Sequence, residues 1–368
     1  MSIERKRNNE NKGLPLRWQL RHGAYYYKVP RGLEALWDNK TAFRLGSTLD
    51  EAYGVWTERM AQVDGPTDVK TIGDLLDRYT REVIPTKAIT SQTNNRYQLP
   101  MLREVFGAMP LLPFKPQLIY QYVDHRSRKR KNPVTGKITG GKIIAHREIE
   151  LLSHVFTKAV EWGYIDRHPF KFEIRLQGEK PRDRYIEDWE IVEALSLPAY
   201  RKKGSVLMIQ AYLRIKLLTG MAQGDLLRLQ PDLHFKEDGI HNQRHKTAEN
   251  TGKRTIYEWS PKLHAAVDMA LAVRHRDSAF LFCNYRGQGY INEKLGRASG
   301  WKTMWQNFMA RVIKETKIEK HFTEHDMRAK VASDAKSLEH AQALLAHADS
   351  KTTKRIYRRK AELVKPLG

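Results

Sequence analysis

The pattern of hydrophobic and polar positions predicts short strands at the start of the chain, followed by a helix. Two runs rich in aromatic and aliphatic residues are typical of strands, and a Pro/Gly-bearing turn region separates them. These runs are YYYKV (25–29) and FRLG (43–46). Thr48 followed by Glu51 predicts a capping box that opens a helix. Residues 1–65 are therefore interpreted as a small strand–strand–helix unit.

From Thr71 to about Gly163, apolar residues recur at the i, i+3, i+4 spacing of amphipathic helices. This pattern predicts four helical segments, at 72–83, 99–107, 118–126 and 147–163.

A Pro-, Gly- and charge-bearing linker leads into the C-terminal half near residue 183. Two more helical segments are predicted there, then two paired strands around an Asn-Thr-Gly turn, then four or five helical segments to the end. The paired strands fall within 234–247 and 253–259. The fold class expected is a multidomain protein, mainly α-helical, with small antiparallel β-sheets.

Composition adds a strong charge to this picture. The 368 residues include 65 Lys plus Arg against 42 Asp plus Glu, a formal net charge of +23. Such a surplus attracts polyanions, because neutralising phosphates releases their condensed counterions. We find no apolar run long enough to span a bilayer and no signal-peptide pattern, so a cytoplasmic protein without membrane contact is expected. The single cysteine, Cys283, lies in an apolar run and is predicted to be a buried structural thiol.

Five basic residues within six positions precede a Pro/Gly-rich turn between the third and fourth predicted helices. Such a cluster is often plain solvated charge, but in a chain this basic phosphate contact is at least as good an interpretation. The candidate DNA-binding residues are Arg126, Arg128, Lys129, Arg130 and Lys131.

The C-terminal half holds residues suited to phosphoryl transfer, which needs a nucleophile, cations around the transition state and an acid. His325 and Arg328 share one helical face at i, i+3 spacing, and His347 follows. Tyr357 lies among four basic residues, Lys354, Arg355, Arg358 and Arg359. Taken singly, each histidine is more typical of a structural role and the tyrosine of a packing residue.

In their order, these residues resemble the signature of the tyrosine recombinases, the phage-integrase family. LLTGMAQGDLLRLQ resembles the family's first box, HKT places a lysine in the hairpin, and HDMR supplies the His-x-x-Arg motif. LLAHADSKTTKRIY resembles the last box, with the second histidine and the tyrosine. The helical part also resembles the core-binding domain of the family, including an A-x-x-x-G-x-I-x-x-x-P pattern that runs from Ala159 to Pro169.

The resemblance to lambda-integrase-like members implies three domains. Residues 1–65 would form an arm-type DNA-binding domain, residues 66–176 a helical core-binding domain, and residues 183–368 a mixed α/β catalytic domain. The implied partners are double-stranded DNA, at core sites and at arm sites, and three further copies of the chain in a tetramer on DNA. Accessory DNA-bending proteins or a directionality factor, and an origin in a phage or mobile element acting on the bacterial nucleoid, are implied as well.

The resemblance also implies residue roles. Tyr357 would attack the scissile phosphate, and Lys246 would give a proton to the leaving oxygen. Arg328 and His347 would bind the non-bridging oxygens, His325 would assist, and Asp225 stands at the supporting acidic position of the first box. Neither a cofactor nor a metal is expected, because side chains supply the positive charge. Whether Tyr357 acts in its own subunit or in a neighbour's stays open.

One departure from the family pattern concerns catalysis directly. Ala222 stands where the family has its first catalytic arginine, and neither Gln223 nor Arg228 is in register to replace it. The other five residues are retained, which favours an arginine-to-alanine change made by design over a natural loss of cleavage. Two smaller departures are Ala346, where glycine usually precedes the second histidine, and a spacing of ten positions from His347 to the tyrosine, about one more than usual.

The residues therefore leave three hypotheses. The first is a site-specific recombinase, impaired in this chain by Ala222. The second is a non-catalytic DNA-binding or architectural protein on the same fold. The third is a type IB topoisomerase, which shares the chemistry, although the arm-like first 65 residues argue against it.

Overall fold

A computed structural model gives the fold of the chain. It describes residues 11, 13–15, 17–30, 33–60, 69–131, 138–178, 180, 182–245 and 252–361. The chain divides into two compact units, Met1–Glu179 and Lys180–Gly368. No helix among the described residues has the length and apolar character needed to cross a membrane.

The first unit begins with a three-stranded antiparallel sheet, β1 (Trp18–Arg21), β2 (Ala24–Lys28) and β3 (Ala42–Gly46). The last two strands confirm the predicted runs, whereas β1 was not predicted. Its signal is the turn after it: His22 and Gly23 have φ of 47° and 71°. Two successive positive φ values suit a type I′ turn, whose twist matches that of the strands it joins.

A helix, α1 (Leu49–Met60), packs on this sheet after a short 3-10 turn at Glu34–Trp37. The predicted capping box is confirmed: the Thr48 hydroxyl accepts the backbone N–H of Glu51 at 3.2 Å, and the Glu51 carboxylate accepts that of Thr48 at 3.3 Å. Sheet and helix enclose an aromatic core that includes Trp18, Trp37 and Tyr53.

Four further helices follow in the described part of the first unit: α2 (Ile72–Glu82), α3 (Ile89–Phe106), α4 (Gln117–Ser127) and α5 (Lys142–Glu161). A 3-10 turn, Ile84–Thr86, separates the first two, and a two-residue ladder of β4 (Arg130–Lys131) with β5 (Ile138–Thr139) lies between the last two. All four predicted helical segments are present. However, α3 begins ten residues before the predicted start at 99. The pattern missed its first half because that half is polar and because the helix continues through Pro100, a residue type that usually ends a helix. Their apolar faces form a second core around Leu76, Phe106 and Phe156.

The second unit contains helices around a small antiparallel sheet. Its strands are β6 (Phe235–Lys236), β7 (Gly239–Gln243) and β8 (Arg254–Glu258), with Ile240 opposite Tyr257. The helices are α6 (Asp188–Ser196), α7 (Ser205–Thr219), α8 (Gln223–Leu226), α9 (Pro231–His234), α10 (Pro261–Ala272), α11 (Ser299–Glu315), α12 (Glu324–Asp334), α13 (Leu338–Leu344) and α14 (Ser350–Thr352). A π-helical turn, Thr353–Tyr357, follows α14. The mainly helical fold class with small antiparallel sheets is confirmed.

The core of the second unit forms where α7, α10 and α11 meet the sheet, around Tyr212, Phe282 and Trp301. Cys283 is buried and carries a free thiol, as predicted. The predicted boundary near residue 65 lies outside the described residues, and the division into three domains stays a prediction.

Candidate active site

Helix α12 carries two of the candidate residues, and its first turn fixes their position. The Thr323 hydroxyl caps the helix by accepting the backbone N–H of Asp326 at 3.3 Å, and the Asp326 carboxylate accepts the N–H of Thr323 at 2.9 Å. One turn further on, Arg328 is 5% exposed, whereas His325 lies at the surface. The His-x-x-Arg spacing thus holds one group in the interior and the other at its edge.

The Arg328 guanidinium is held by neutral acceptors. It donates to the backbone carbonyls of Gly220 and Leu345, and its Nη2 lies 3.2 Å from Nε2 of His347. Among the described residues, no carboxylate forms an ion pair with Arg328. Burial accordingly lowers the pKa of this guanidinium, which expresses the cost of keeping a buried cation without a counter-ion.

His347 is buried between Arg328 and the segment of chain that follows His347. Its Nδ1 lies 2.8 Å from the Thr353 hydroxyl. Because a guanidinium can only donate, Nε2 accepts from Arg328 and the ring proton is on Nδ1. Burial and the neighbouring charge of Arg328 lower the pKa of His347 to about 3. The free protein therefore holds a neutral imidazole beside a buried cation.

Tyr357 completes this cluster within the same chain. Its ring centre lies 4.9 Å from those of His325 and His347, and 5.7 Å from the guanidinium carbon of Arg328. The ring is buried against Ala329 and Ala332 of α12. The sequence leaves open whether Tyr357 acts in its own subunit or in a neighbour's. In this structure it packs against the histidines and the arginine of its own chain.

The last turn before the tyrosine explains the longer spacing from His347. The backbone N–H of Arg358 donates to the carbonyl of Thr353 at 3.2 Å, an i to i+5 bond. Such a π-turn accommodates one residue more than an α-helical turn. The extra position therefore does not move Tyr357 away from the cluster.

Arg359 fastens the segment that carries Tyr357. Its guanidinium lies 2.6 Å from the carboxylate of Asp326, and both side chains are buried. Burial alone would raise the pKa of Asp326, but Arg359 and Thr323 outweigh it and hold that pKa below its usual range. Of the four cations predicted around the tyrosine, Arg359 is thus neutralised, while Lys354 and Arg355 are exposed.

The hairpin of the second unit is joined to the first box through Asp225. This buried carboxylate accepts the backbone N–H of His245 at 3.0 Å. The next residue, Lys246, lies outside the described residues. A second hairpin lysine, Lys253, which was not singled out from the sequence, donates to the carbonyl of His347 at 3.0 Å.

No arginine takes the place of Ala222 from nearby in the first box. Ala222 is half-buried at the start of α8. The Gln223 amide donates to the Glu324 carboxylate at 2.5 Å. Arg228 donates to both carboxylate oxygens of Glu293, at 2.9 and 2.8 Å. The prediction that Arg228 serves another purpose is consistent with this ion pair.

A buried polar network beside the cluster was missed in the sequence. The carboxylate of Glu324, the residue before His325, accepts from the side chains of four others, namely Tyr212, Lys216, Gln223 and Trp301. Lys216 is 1% exposed, and burial lowers the pKa of its amine despite the nearby Glu324. The available signal was a lysine within the otherwise apolar run of α7. This network ties the start of α12 to α7 and α11.

Ala346 occupies a backbone position that suits glycine. Its φ is 50°, in the left-handed region, which costs a residue with a Cβ about 1–2 kcal/mol. The family pattern has glycine there for a physical reason, and this chain tolerates alanine with some strain.

The basic residues of the predicted DNA-binding loop differ in whether they form an ion pair with another described residue. Arg126 donates to both oxygens of the buried Glu148 carboxylate, at 2.9 and 2.8 Å. Arg128 and Lys129 are exposed, and no described residue forms an ion pair with either. The backbone of Arg130 and Lys131 forms strand β4 of the short ladder. The side chains of these two residues lie outside what the structure describes.

Comparison with known proteins identifies the fold. No protein-family model and no curated protein matches the sequence. In structure, the chain is similar to a lambda integrase tetramer bound to a Holliday junction, with a TM-score of 0.59 and 17% identity over 98% of this chain and 99% of that one. It is also similar to the Tn1549 transposon integrase in complex with transposon right end DNA, with a TM-score of 0.61 and 14% identity over 80% of this chain and 96% of that one. The chain therefore has the multidomain fold of the lambda-integrase-like tyrosine recombinases.

Proposed function

We propose that this protein is a site-specific DNA recombinase of the integrase type, which cleaves and rejoins DNA through a 3′-phosphotyrosine at Tyr357. One observation carries the proposal: a tyrosine packs against a buried arginine that has no carboxylate partner among the described residues. A buried cation without a counter-ion is costly on its own. A phosphate in the cluster would supply the missing negative charge.

The chemistry follows from the groups present. The Tyr357 hydroxyl attacks the scissile phosphorus, a bond from its oxygen to phosphorus forms, and the bond to the 5′-oxygen breaks. The departing oxygen takes up a proton, and the tyrosine gives up its own. Arg328 donates to non-bridging oxygens, where charge accumulates in the transition state. His347, neutral in the free protein, lies where its ring can donate to a non-bridging oxygen once a phosphate displaces its present partners.

Two hairpin lysines are candidates for the proton donor. Lys246 is the one implied by the family motif. Lys253 is tied to the carbonyl of His347 at 3.0 Å, which leaves two of its three protons for other acceptors. Asp225 holds the backbone next to Lys246 and would act as a positioning residue for the hairpin.

The proposed partners follow from charge and from the similar structures. The net charge of +23 suits extended contact with DNA phosphates. The similar integrases are bound to a Holliday junction and to transposon end DNA, the former as a tetramer. We extend this to core-type sites, arm-type sites read by residues 1–65, and a tetramer on two duplexes, with an origin in a phage or mobile element.

A second function, non-catalytic DNA binding, rests on Ala222. An arginine makes bidentate contacts to phosphate oxygens that an alanine cannot make. By analogy with removing one oxyanion-hole donor, its loss slows cleavage by about 10²–10³ fold. This chain is therefore impaired, or inactive, unless another residue makes the contact.

The deciding experiment measures a covalent protein–DNA band on nicked suicide duplexes, made from DNA that the protein itself selects from a random-sequence library. The unsubstituted chain, Ala222→Arg, Tyr357→Phe and the exposed-tyrosine control Tyr285→Phe are compared. We expect a band with Ala222→Arg and with Tyr285→Phe in that background. Tyr357→Phe should give no band while binding the same duplex. If Ala222→Arg gives none, the protein is a DNA-binding protein without cleavage.

A further inference from the structure

The hairpin β7–β8 presents one face to the candidate active site. In its antiparallel register, Ile240 lies opposite Tyr257 and Asn242 opposite Thr255. Directly opposed residues share a face of a ladder. Ile240, Asn242 and Tyr257 are buried, whereas Gln243 and Arg254, the pair that follows Asn242 and Thr255 along the ladder, are exposed.

This buried face contacts the stretch 344–347, which includes His347 and to which Arg328 also donates. The Tyr257 hydroxyl donates to the carbonyl of Leu344 at 2.9 Å, and Lys253 donates to that of His347 at 3.0 Å. Arg328 donates to the carbonyl of Leu345, which lies between them in the chain. The hairpin and Arg328 therefore grip the same four-residue stretch.

Arg244 continues the inward face of β7. It follows Asn242 by two positions, and one step beyond the paired residues the same register sets it opposite Lys253. Side chains two apart on a strand point to the same side. Arg244 is therefore directed, like Lys253 and Tyr257, toward the Leu344–His347 stretch. Its charge acts on the cluster: after burial and the charge of Arg328, it is the next contribution that lowers the pKa of His347.

The Arg244 side chain has the character of an anion-binding group. Its Nε is buried and has no hydrogen-bond partner among the described residues. No described carboxylate forms an ion pair with its guanidinium either. Arg359 and Arg228, which join parts of the fold, each form an ion pair with a carboxylate. A buried Nε without an acceptor also occurs at Arg96, Arg103, Arg184 and Arg274, but each of these arginines forms an ion pair with a carboxylate. The missing counter-ion therefore distinguishes Arg244 from them.

We propose that Arg244 supplies, from the hairpin, the arginine contact to the scissile phosphate that position 222 lacks. This inference rests on the proposed recombinase function. Arg244 donates to a non-bridging oxygen together with Arg328, and it transfers no proton. Cleavage in this chain then needs no arginine at position 222.

The test compares Arg244→Ala and Arg244→Gln with the matched control Arg254→Ala, the exposed arginine on the other face of the same hairpin. Covalent adduct formation on the nicked suicide duplex is measured, with duplex binding and thermal unfolding as checks on folding. We expect Arg244→Ala and Arg244→Gln to slow cleavage by about 10²–10³ fold, with Arg254→Ala close to the unsubstituted chain. Equal rates for Arg244→Ala, Arg244→Gln and the unsubstituted chain would overturn the inference.

Rescue separates a phosphate contact from a structural role. Adding Ala222→Arg to Arg244→Ala should restore most of the lost rate. A duplex with an uncharged methylphosphonate at the scissile position should show a much smaller loss for Arg244→Ala than the phosphate duplex. An undiminished loss on methylphosphonate, or no rescue by Ala222→Arg, would make Arg244 a structural residue.

Failure of this inference is distinct from failure of the proposed function. If Ala222→Arg cleaves DNA and the unsubstituted chain does not, the function stands and Arg244 does not replace the arginine. If no version cleaves, the recombinase function fails and the inference fails with it.

Discussion

Two buried arginines in the second unit, Arg328 and Arg359, differ in their partners. Arg359 lies 2.6 Å from the buried carboxylate of Asp326. Arg328, on the same helix as Asp326, is surrounded by backbone carbonyls and a neutral histidine. Both side chains are buried to a similar degree, so burial does not distinguish them. The counter-ion does: the paired arginine has its charge satisfied within the fold, and the other is available to an incoming anion.

The same contrast recurs in the basic loop of the first unit. Arg126 is paired with the buried Glu148, whereas the neighbouring Arg128 and Lys129 are exposed and have no described ion-pair partner. Counting basic residues in the sequence treats these cations alike. Their partners divide them into those that hold the loop in place and those available to DNA.

The largest effect is expected from breaking the paired site. Arg359→Ala leaves the Asp326 carboxylate buried, with Arg182 at 3.0 Å as its remaining cation. Removing one partner of a buried ion pair costs about 3–5 kcal/mol. Urea unfolding should show this loss, and Asp326→Asn combined with Arg359→Met should regain much of it. A loss below about 1 kcal/mol would mean that the pair behaves as a surface salt bridge.

Substituting Arg328, which has no carboxylate partner among the described residues, should affect cleavage more than stability. Arg328→Ala takes away a cation whose charge no described carboxylate balances, so the main loss falls on cleavage, by about 10²–10³ fold. Adduct formation by Arg328→Ala in the Ala222→Arg background measures it. The free energy of unfolding should fall less than in Arg359→Ala. If stability falls more and cleavage less, the assignment of the two arginines is reversed.

A smaller effect is expected from pH. The unfolded chain protonates His347 near pH 6.5, whereas the folded chain does so at about 3, because of burial and the charge of Arg328. Between these pH values the unfolded state binds more protons than the folded state. The free energy of unfolding therefore decreases as pH falls, by on the order of 1 kcal/mol per pH unit. His347→Gln should flatten this acid limb of stability relative to the exposed-histidine control His321→Gln. If stability depends on pH in the same way in His347→Gln and His321→Gln, the imidazole of His347 is not neutral in the folded chain.

The smallest effect concerns the basic loop. Arg128→Ala with Lys129→Ala should reduce the slope of log affinity against log salt by about 1 for each phosphate that these side chains no longer neutralise. Arg126→Ala should instead lower stability, because Glu148 would be left buried and unpaired. DNA-binding titrations at several salt concentrations, together with urea unfolding, separate the two. A larger fall in the salt slope for Arg126→Ala than for the double variant would reverse the division.

Local signals predicted much of this molecule. The capping box at Thr48 and the apolar periodicity of α5 depend on neighbours within one or two turns, so they are visible in the chain. The His-x-x-Arg and tyrosine boxes were found through their order, and their residues lie together in the structure. Strand β1 was missed because it is short and its turn is marked only by His22 and Gly23.

Contacts between distant positions could not be read from the sequence. The Glu324 network joins residues more than 100 positions apart, such as Tyr212 and Glu324. The ion pair of Arg359 with Asp326, and the inward direction of Arg244, likewise depend on which face each element turns to its neighbours. Charge could be counted along the chain, but which cations remain unpaired is a property of the fold.

The Ser333 hydroxyl gives the tyrosine segment a mechanical anchor. It donates to the carbonyl of Tyr357 at 3.0 Å and accepts the backbone N–H of Arg359 at 2.7 Å. If a DNA strand is joined to Tyr357, tension on that strand passes through Ser333 into α12, the helix that carries His325 and Arg328. The severed end and the cations that must rejoin it would then move as one body while the partner strand is exchanged.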